Sequence, residues 1–319
     1  MGTLILSYPF FVWSAYIYDK KFKNNPKRIK ENKNGYGFLA NRIKEAEETE
    51  NVDILILGSS LAYRVIDTRS FDSLGLKAFN LGSSSQTPLQ TEFLVDQYLS
   101  KLNPKLIIWD ISPSLFSISG FESFVDIASN AGFQISMLKQ VFEIGEIEGV
   151  NTLMLSALDP LIRGGDYHKM KYKTNREIYI KGGFAQNIRT NYERFKPLKE
   201  VKLELIPYQK KSFERTLTKL RGFDLVLVMA PIRPEDYEKM IGVESFKEYI
   251  NLQINTFEGI RFYNFNEPLI PQLESLEYFY DEFHLNQKGV ELYNKALIDS
   301  VFNFETYYFV IPELFSGNK

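Results

Sequence analysis

Cysteine is absent from the 319-residue chain, which excludes disulfides, thiolate nucleophiles and Cys-ligated zinc or iron–sulfur centres. The redox compartment stays open, because a thiol-free protein is at home in either environment. Histidine occurs only at His168 and His284, so a multi-histidine metal centre is excluded and any imidazole chemistry belongs to one of these two. Neither sign of charge dominates: 38 Lys and Arg stand against 40 Asp and Glu, a formal charge of -2. That balance gives no electrostatic footprint for a nucleic-acid partner and no solvating acidic tail. Hydrophobic residues make up 44% of the chain, enough for a substantial core. With 26 Phe and 19 Tyr, aromatics are too common for any one cluster to mark a sugar platform.

Long apolar runs are also scarce, and the one at the start is short. Leu4 to Tyr18 reads LILSYPFFVWSAYIY, with no charge between Met1 and Asp19. A bilayer crossing takes about 20 residues, so the uncharged stretch reaches only the lower end of the range. Tyr8, Trp13, Tyr16 and Tyr18 suit a membrane interface. Residues 1–19 therefore read as a membrane anchor or, alternatively, as an N-terminal helix packed on the domain. No small-residue cleavage site stands out, and the basic residues Lys20, Lys21, Lys23, Lys27, Arg28 and Lys30 follow the run, which by positive-inside logic favours a cytoplasmic domain. Residues 20–50 read as a polar linker and a first helix, Phe38 to Glu50; 51–302 form the main domain, and 303–319 an aromatic tail.

Short apolar runs alternate with helical patterns through the main domain. Asp53 to Leu57, Ala78 to Leu81, Lys105 to Ile111, Asp224 to Ala230 and Arg261 to Phe265 read as strands, the longer ones buried on both faces. Helical spacing marks Pro88 to Leu99, Ser245 to Thr256 and Val290 to Phe302. The alternation predicts a three-layer α/β/α sandwich around a five-stranded, mostly parallel, flavodoxin-like sheet. Ligands of such sheets bind beyond the C-terminal ends of the strands. Between the third and fourth strands lie over a hundred residues where one helix would suffice, which predicts a large helical insertion over 115–220. Its first part, Phe121 to Leu158, reads as helical; Gly164 to Gly183 is basic and glycine-flanked. The insertion either caps the active edge of the sheet or extends the core. His168 sits there beside Lys169, Lys171 and Lys173, as a solvated loop or a contact for an anionic substrate.

Three segments carry candidate chemistry. Gly58-Ser59-Ser60 follows the first strand, where a tight turn exposes a hydroxyl and free helix amides can receive oxyanion charge. Neither GxxxxGK[ST] nor GxGxxG occurs, so a nucleotide loop is disfavoured. Asn80-Leu81-Gly82-Ser83-Ser84-Ser85-Gln86 follows the second strand and offers backbone donors and the Asn80 and Gln86 amides, or simply caps the next helix. Asp281 precedes His284 by three residues, the spacing at which a carboxylate can orient an imidazole to deprotonate a serine.

Together these blocks resemble the SGNH or GDSL-like hydrolase superfamily. Gly58-Ser59-Ser60 matches the GDS block, Asn80-Leu81-Gly82 the second block, and Asp281-Glu282-Phe283-His284 the late DxxH block, trailed by Leu285, Asn286 and Gly289. The resemblance covers roughly 51–112 and 222–302. It implies Ser60 as nucleophile, His284 as base and Asp281 as its orienting acid, with backbone N–H groups of Ser60, Gly82 and Ser85 as oxyanion donors. Two departures stand out: Ser59 replaces the aspartate, and Trp109-Asp110-Ile111-Ser112-Pro113-Ser114 replaces GxND. Ser112 and Ser114 are stand-ins for the missing asparagine, and with Ser59, Asn80 and Gln86 they form a candidate substrate-binding set. Two-step acyl transfer follows, without metal or other cofactor. The substrate expected from the resemblance is an O-acetylated glycan of the cell envelope, or a small ester, handled by an esterase or acetyltransferase tethered to the membrane on its extracytoplasmic side, within envelope polysaccharide machinery. The alternatives are a lipase-like esterase, a cytoplasmic hydrolase of small esters, and a catalytically silent carbohydrate-binding or assembly protein that retains the fold.

Overall fold

The apolar runs form one sheet because neither of their faces can be left in water. The computed structural model describes residues 7–10, 12, 14, 35–163, 170–189, 199–257 and 259–302. Its strands are β1 (Ile54–Leu57), β2 (Ala78–Asn80), β3 (Leu106–Asp110), β4 (Glu177–Ile180), β5 (Phe184–Asn187), β6 (Val201–Lys202), β7 (Asp224–Met229), β8 (Met240–Ile241) and β9 (Ile260–Asn264). The main sheet has five strands in the order β2-β1-β3-β7-β9, all paired in parallel. Each of its strands lies within one residue, at either end, of the span expected from the sequence.

Side chains alternate across this sheet. Leu55, Leu57, Phe79, Ile107, Trp109, Leu225 and Leu227 enter one core, whereas Ile54, Ile56, Ala78, Leu106, Ile108, Val226 and Val228 enter the other. The longer helices are α1 (Leu39–Glu48), α2 (Ser60–Val65), α3 (Pro88–Leu102), α4 (Phe121–Asn130), α5 (Met137–Ile144), α6 (Ile147–Arg163), α7 (Pro207–Lys219), α8 (Val243–Thr256) and α9 (Gln287–Val301). Helices α1, α3, α7 and α8 contribute to the first core; α2 and α9 contribute to the second. This is the expected three-layer sandwich. The strand order reverses beside β1, so β1 and β3 flank the switch point where such sheets place their ligands.

The large insertion comprises α4 to α6 and an antiparallel hairpin, β4 with β5. The hairpin lies in and just beyond the span read as a basic, glycine-flanked loop. Helix α7, at the end of the same span, packs on α3 and completes the sandwich layer. Glu92 of α3 joins these parts: Lys139 of α5 reaches it at 2.9 Å, Arg215 of α7 at 2.8 Å and Lys219 at 3.3 Å. Burial pushes this carboxyl up, but the hydrogen bonds from Arg215 and Lys139, with the nearby cationic charge, hold it down at about 2.

The hairpin docks on the sandwich through backbone. Asn80 N–H donates to Gly182 O at 2.8 Å, and Gly183, at φ +93°, lies so close that a Cβ there would stand 2.2 Å from Asn80 O. A single buried arginine of α1 secures the junction. Arg42 donates to the carbonyls of Gly183 at 2.8 Å, Gly82 at 2.9 Å and Gly37 at 2.9 Å, with its guanidinium 4.5 Å from the Tyr63 ring centroid.

At the N-terminus, Val12 is buried against Leu155 of α6, and the Tyr8 hydroxyl donates to Asn151 Oδ1 at 2.9 Å. The rest of the 1–19 run, the linker to residue 34, His168 with its loop, and the 303–319 tail lie outside the described residues. Among the described residues no helix is long and apolar enough to cross a membrane.

Replacing Arg42 leaves three buried carbonyls without their donor. Each such loss costs about 1–3 kcal/mol, so Arg42→Met is expected to destabilise the chain by about 3 kcal/mol or more in urea unfolding. A midpoint equal to wild type would remove the arginine from this role.

Candidate active site

Gly58 ends β1 in a conformation that suits glycine, and its surroundings leave no room for another residue. Its φ is +137°, and a Cβ there would stand 2.7 Å from Asp110 O and 2.9 Å from Asp110 Cβ. The chain therefore turns sharply against β3 and enters α2 at once. Ser59 is the N-cap: its Oγ accepts the Leu61 N–H at 3.2 Å, so its hydroxyl serves the helix. Ser60 is the first residue of α2, half-buried, with its Oγ turned to the loop that precedes α9.

That loop is closed on itself. Tyr280 N–H donates to His284 O at 3.0 Å, and a bridge joins Phe279 to Leu285. Inside it, Asp281 Oδ1 accepts the backbone N–H of Phe283 at 2.9 Å and of His284 at 2.7 Å. The same carboxylate meets His284 Nδ1, at 2.8 Å through Oδ1 and 2.9 Å through Oδ2. His284 Nε2 then lies 2.7 Å from Ser60 Oγ. With Nδ1–H donating to the carboxylate, Nε2 is the bare nitrogen and accepts the Ser60 hydroxyl proton. Side chains 224 positions apart are thus joined in one hydrogen-bonded line.

Two opposing influences set the protonation of this line. Burial disfavours the charged imidazolium and lowers His284 below the ordinary imidazole value; the Asp281 hydrogen bond and charge oppose it without reversing it. Burial likewise pushes Asp281 up, but the hydrogen bonds and charge of His284 and the two backbone N–H donors hold it below the usual carboxylate value. The result is a neutral imidazole beside an ionised carboxylate at neutral pH. Tyr280 stacks on the imidazole, ring centroids 5.5 Å apart and planes within 8°, and the Arg189 guanidinium stands 4.5 Å from the other ring's centroid. Arg64 of α2 pairs with Glu177 of the hairpin at 2.5 Å, and both charges act on His284, Arg64 lowering and Glu177 raising its pKa. Sequence reasoning assigned no role to Tyr280, Arg64, Glu177 or Arg189. Only the placement of the hairpin beside α2 makes them neighbours of His284.

The loop after β2 lies against the Ser60 turn. A Cβ on Gly82 would stand 2.9 Å from Gly58 O and 3.1 Å from Ser59 O, and Ser83 N–H donates to Gly58 O at 3.2 Å. The Gly82 N–H donates to Asn80 Oδ1 at 3.1 Å, while Asn80 Nδ2 donates to Ala62 O at 2.9 Å. Asn80 is fully buried, so its amide holds the loop to α2 and presents nothing to a ligand. Gln86 is buried as well: its Oε1 accepts the Ser83 hydroxyl at 3.0 Å and its Nε2 donates to Thr91 Oγ1 at 3.0 Å. Ser85 has a left-handed backbone, φ +47°, and its hydroxyl donates to Glu122 of α4 at 3.3 Å. Ser112 and Ser114, beyond β3, share a hydrogen bond of 2.9 Å with each other. Among the described residues no group of acidic or histidine side chains is arranged to hold a metal ion.

No family model and no curated protein matches the chain. Among solved structures, a Streptococcus pneumonia chain described by reference to platelet activating factor is similar over 84% of this chain and 93% of its own, with 12% identity and a TM-score of 0.44.

Behind the Ser60 turn, Asp110 is fully buried; Oδ1 accepts the Ala230 N–H at 3.1 Å, whereas Oδ2 has no partner. Burial pushes its carboxyl up to about 8, against the Ala230 hydrogen bond. A carboxyl whose folded pKa is raised contributes fully below its unfolded value, and that contribution is lost as pH rises toward 8. Asp110→Asn is therefore expected to gain in Tm relative to wild type as pH rises from 4 to 8, the gap then levelling off. A pH-independent difference in thermal melts would contradict this.

Proposed function

We propose that the chain is a serine-dependent acyl-ester hydrolase or O-acyltransferase of the SGNH type, acting on O-acetyl groups of cell-envelope glycans. The observation that carries this reading is the line from Asp281 through His284 to Ser60 Oγ, with 2.7 Å at its last step. In this reading His284 Nε2 takes the Ser60 proton as Oγ attacks the ester carbonyl carbon. The imidazolium, stabilised by Asp281, then returns that proton to the leaving alcohol, and an acyl-serine remains. Water, or a sugar hydroxyl, enters by the same route and releases Ser60. The backbone N–H of Ser60 and those of the loop after β2 receive the oxyanion charge. The Gly82 N–H would have to be shared with Asn80 Oδ1 or released from it.

The acetyl-glycan substrate and a membrane-tethered, extracytoplasmic setting are the finer part of the proposal. They draw support from the uncharged run before Asp19 and from the large insertion beside the sheet. The stretch Trp109 to Ser114, without the asparagine of the SGNH third block, favours one second reading, a carbohydrate-binding protein that keeps the fold without the chemistry.

Acetate release from an acetyl ester, followed by mass spectrometry, separates the two. Ser60→Ala and His284→Ala are each expected to lower kcat/KM by about 10⁴-fold or more. Wild-type rates in a folded S60A protein would sink the proposal, and glycan binding without acetate release by the wild-type chain would establish the second reading. Activity requires the neutral imidazole, and burial lowers the His284 pKa. The acid limb of kcat/KM is therefore expected at an apparent pKa below about 6.5, the ordinary imidazole value, with activity rising as pH increases through it.

A further inference from the structure

Helix α5 carries two apolar stripes, and the fold uses one. Met137 and Val141 are buried in the main core, as a surface helix requires. Leu138 and Phe142, four residues apart on the adjoining face, are exposed, Phe142 to 80%. Ile135, just before the helix, is 71% exposed. Helix α6 repeats the pattern: Ile147, Val150, Met154 and Ala157 fall at helical spacing and line, with Phe133, Leu138 and Phe142, an apolar cleft of about 490 Å³. Large side chains at such exposure are ordinary when scattered and call for an explanation when they form one face.

The N-terminal segment supplies that explanation. Met154, which lines the cleft, also packs against the cluster of Val12 and Leu155, and Tyr8 is hydrogen-bonded to α6 through Asn151. Phe10, between them in sequence, is 69% exposed. Tyr8 and Val12, within the uncharged run, therefore meet the insertion at the edge of its apolar face. Charge narrows the kind of surface that fits. Glu146 lines the cleft and Lys139 is engaged by Glu92, so among the described residues the cleft lining holds no cation and meets lipid by apolar contact.

We propose that the α5–α6 face rests in the headgroup–acyl boundary of a phospholipid bilayer, held there with the N-terminal run, through apolar contact. A surface of this composition, with phenylalanines and aliphatic side chains facing outward, matches the way amphipathic helices lie in the interface. The proposal extends the membrane tether to a second contact and fixes which side of the catalytic domain faces the lipid. It is independent of the acyl chemistry proposed for Ser60.

The lack of cysteine makes the test direct, because any introduced thiol is the only one. Full-length Phe10→Cys, Phe142→Cys and Leu252→Cys proteins, the last on α8, are labelled with an environment-sensitive fluorophore and reconstituted into dioleoylphosphatidylcholine vesicles with or without brominated acyl chains. The expected result is quenching by about half or more at positions 10 and 142 and little at 252. Quenching at 10 alone would leave the tether standing and overturn the α5–α6 contact, as would a face occupied by a protein partner, which keeps position 142 away from lipid. Quenching at none of the three positions, or equally at all three, overturns it too. Ile135→Glu with Phe142→Glu, both at exposed positions, checks the result through an independent readout. The pair is expected to increase protease access to the α5–α6 turn in vesicles while its access in free solution and its thermal melt match the wild type; unchanged access in vesicles overturns the proposal.

Discussion

One guanidinium determines how the parts of this molecule meet. Arg42 is fully buried and spends its N–H groups on carbonyls from the turn before α1, the loop after β2 and the tip of the β4–β5 hairpin. Burial works against its charge, and main-chain oxygens with the Tyr63 ring offset that cost without a carboxylate partner. The consequence is geometric. The Gly82 carbonyl points to Arg42 and so ties the loop beside Ser60 to the same guanidinium that holds the hairpin bringing Glu177 to Arg64. The conformation of the site is set from behind, by a residue that does not line it.

The site itself balances desolvation against pairing. His284 is buried enough to lose its proton readily, yet Asp281 accepts from its Nδ1 and so fixes which nitrogen is bare. Parallel stacking on Tyr280 limits rotation of the ring about the axis that would break the 2.7 Å approach to Ser60. Arg64 and Glu177 act on the imidazole in opposite directions, and burial, the largest influence, outweighs the hydrogen bond and charge of Asp281.

Much of this was legible in the residues because it is local. Strands such as Ile54–Leu57 and Asp224–Met229 are continuous apolar runs, readable without knowing their neighbours. The Gly58 turn and the three-residue spacing of Asp281 and His284 are also short-range patterns, and they marked the residues that the fold brings together. Asn80 and Gln86 were harder, since an amide in a loop looks the same whether it faces a ligand or holds the loop. Their partners, Ala62, Ser83 and Thr91, are what decide the matter. The hairpin was missed for a related reason: its strands are four residues each and draw their stability from docking on β2 and Arg42. Arg42 itself carries no sequence signal, being one basic residue in a polar helix.

The insertion between β3 and β7 also orders events in time. These strands are neighbours in the sheet, yet more than a hundred residues separate Asp110 from Asp224. At about 5–20 residues per second of synthesis, β3 emerges roughly 5–20 s before the strand that covers its open edge. During that interval the nascent sheet can consist only of β2, β1 and β3, with the backbone N–H and C=O groups of the β3 edge unpaired by β7. The helices of the insertion are made in the same interval, and their contacts with α3 shelter one face of the half-built sheet. His284 comes later still, after β9. A ribosome-bound chain thus carries Ser60 in its turn long before the histidine that meets its hydroxyl has been made, and the line from Asp281 through His284 to Ser60 can close only after β9 has followed.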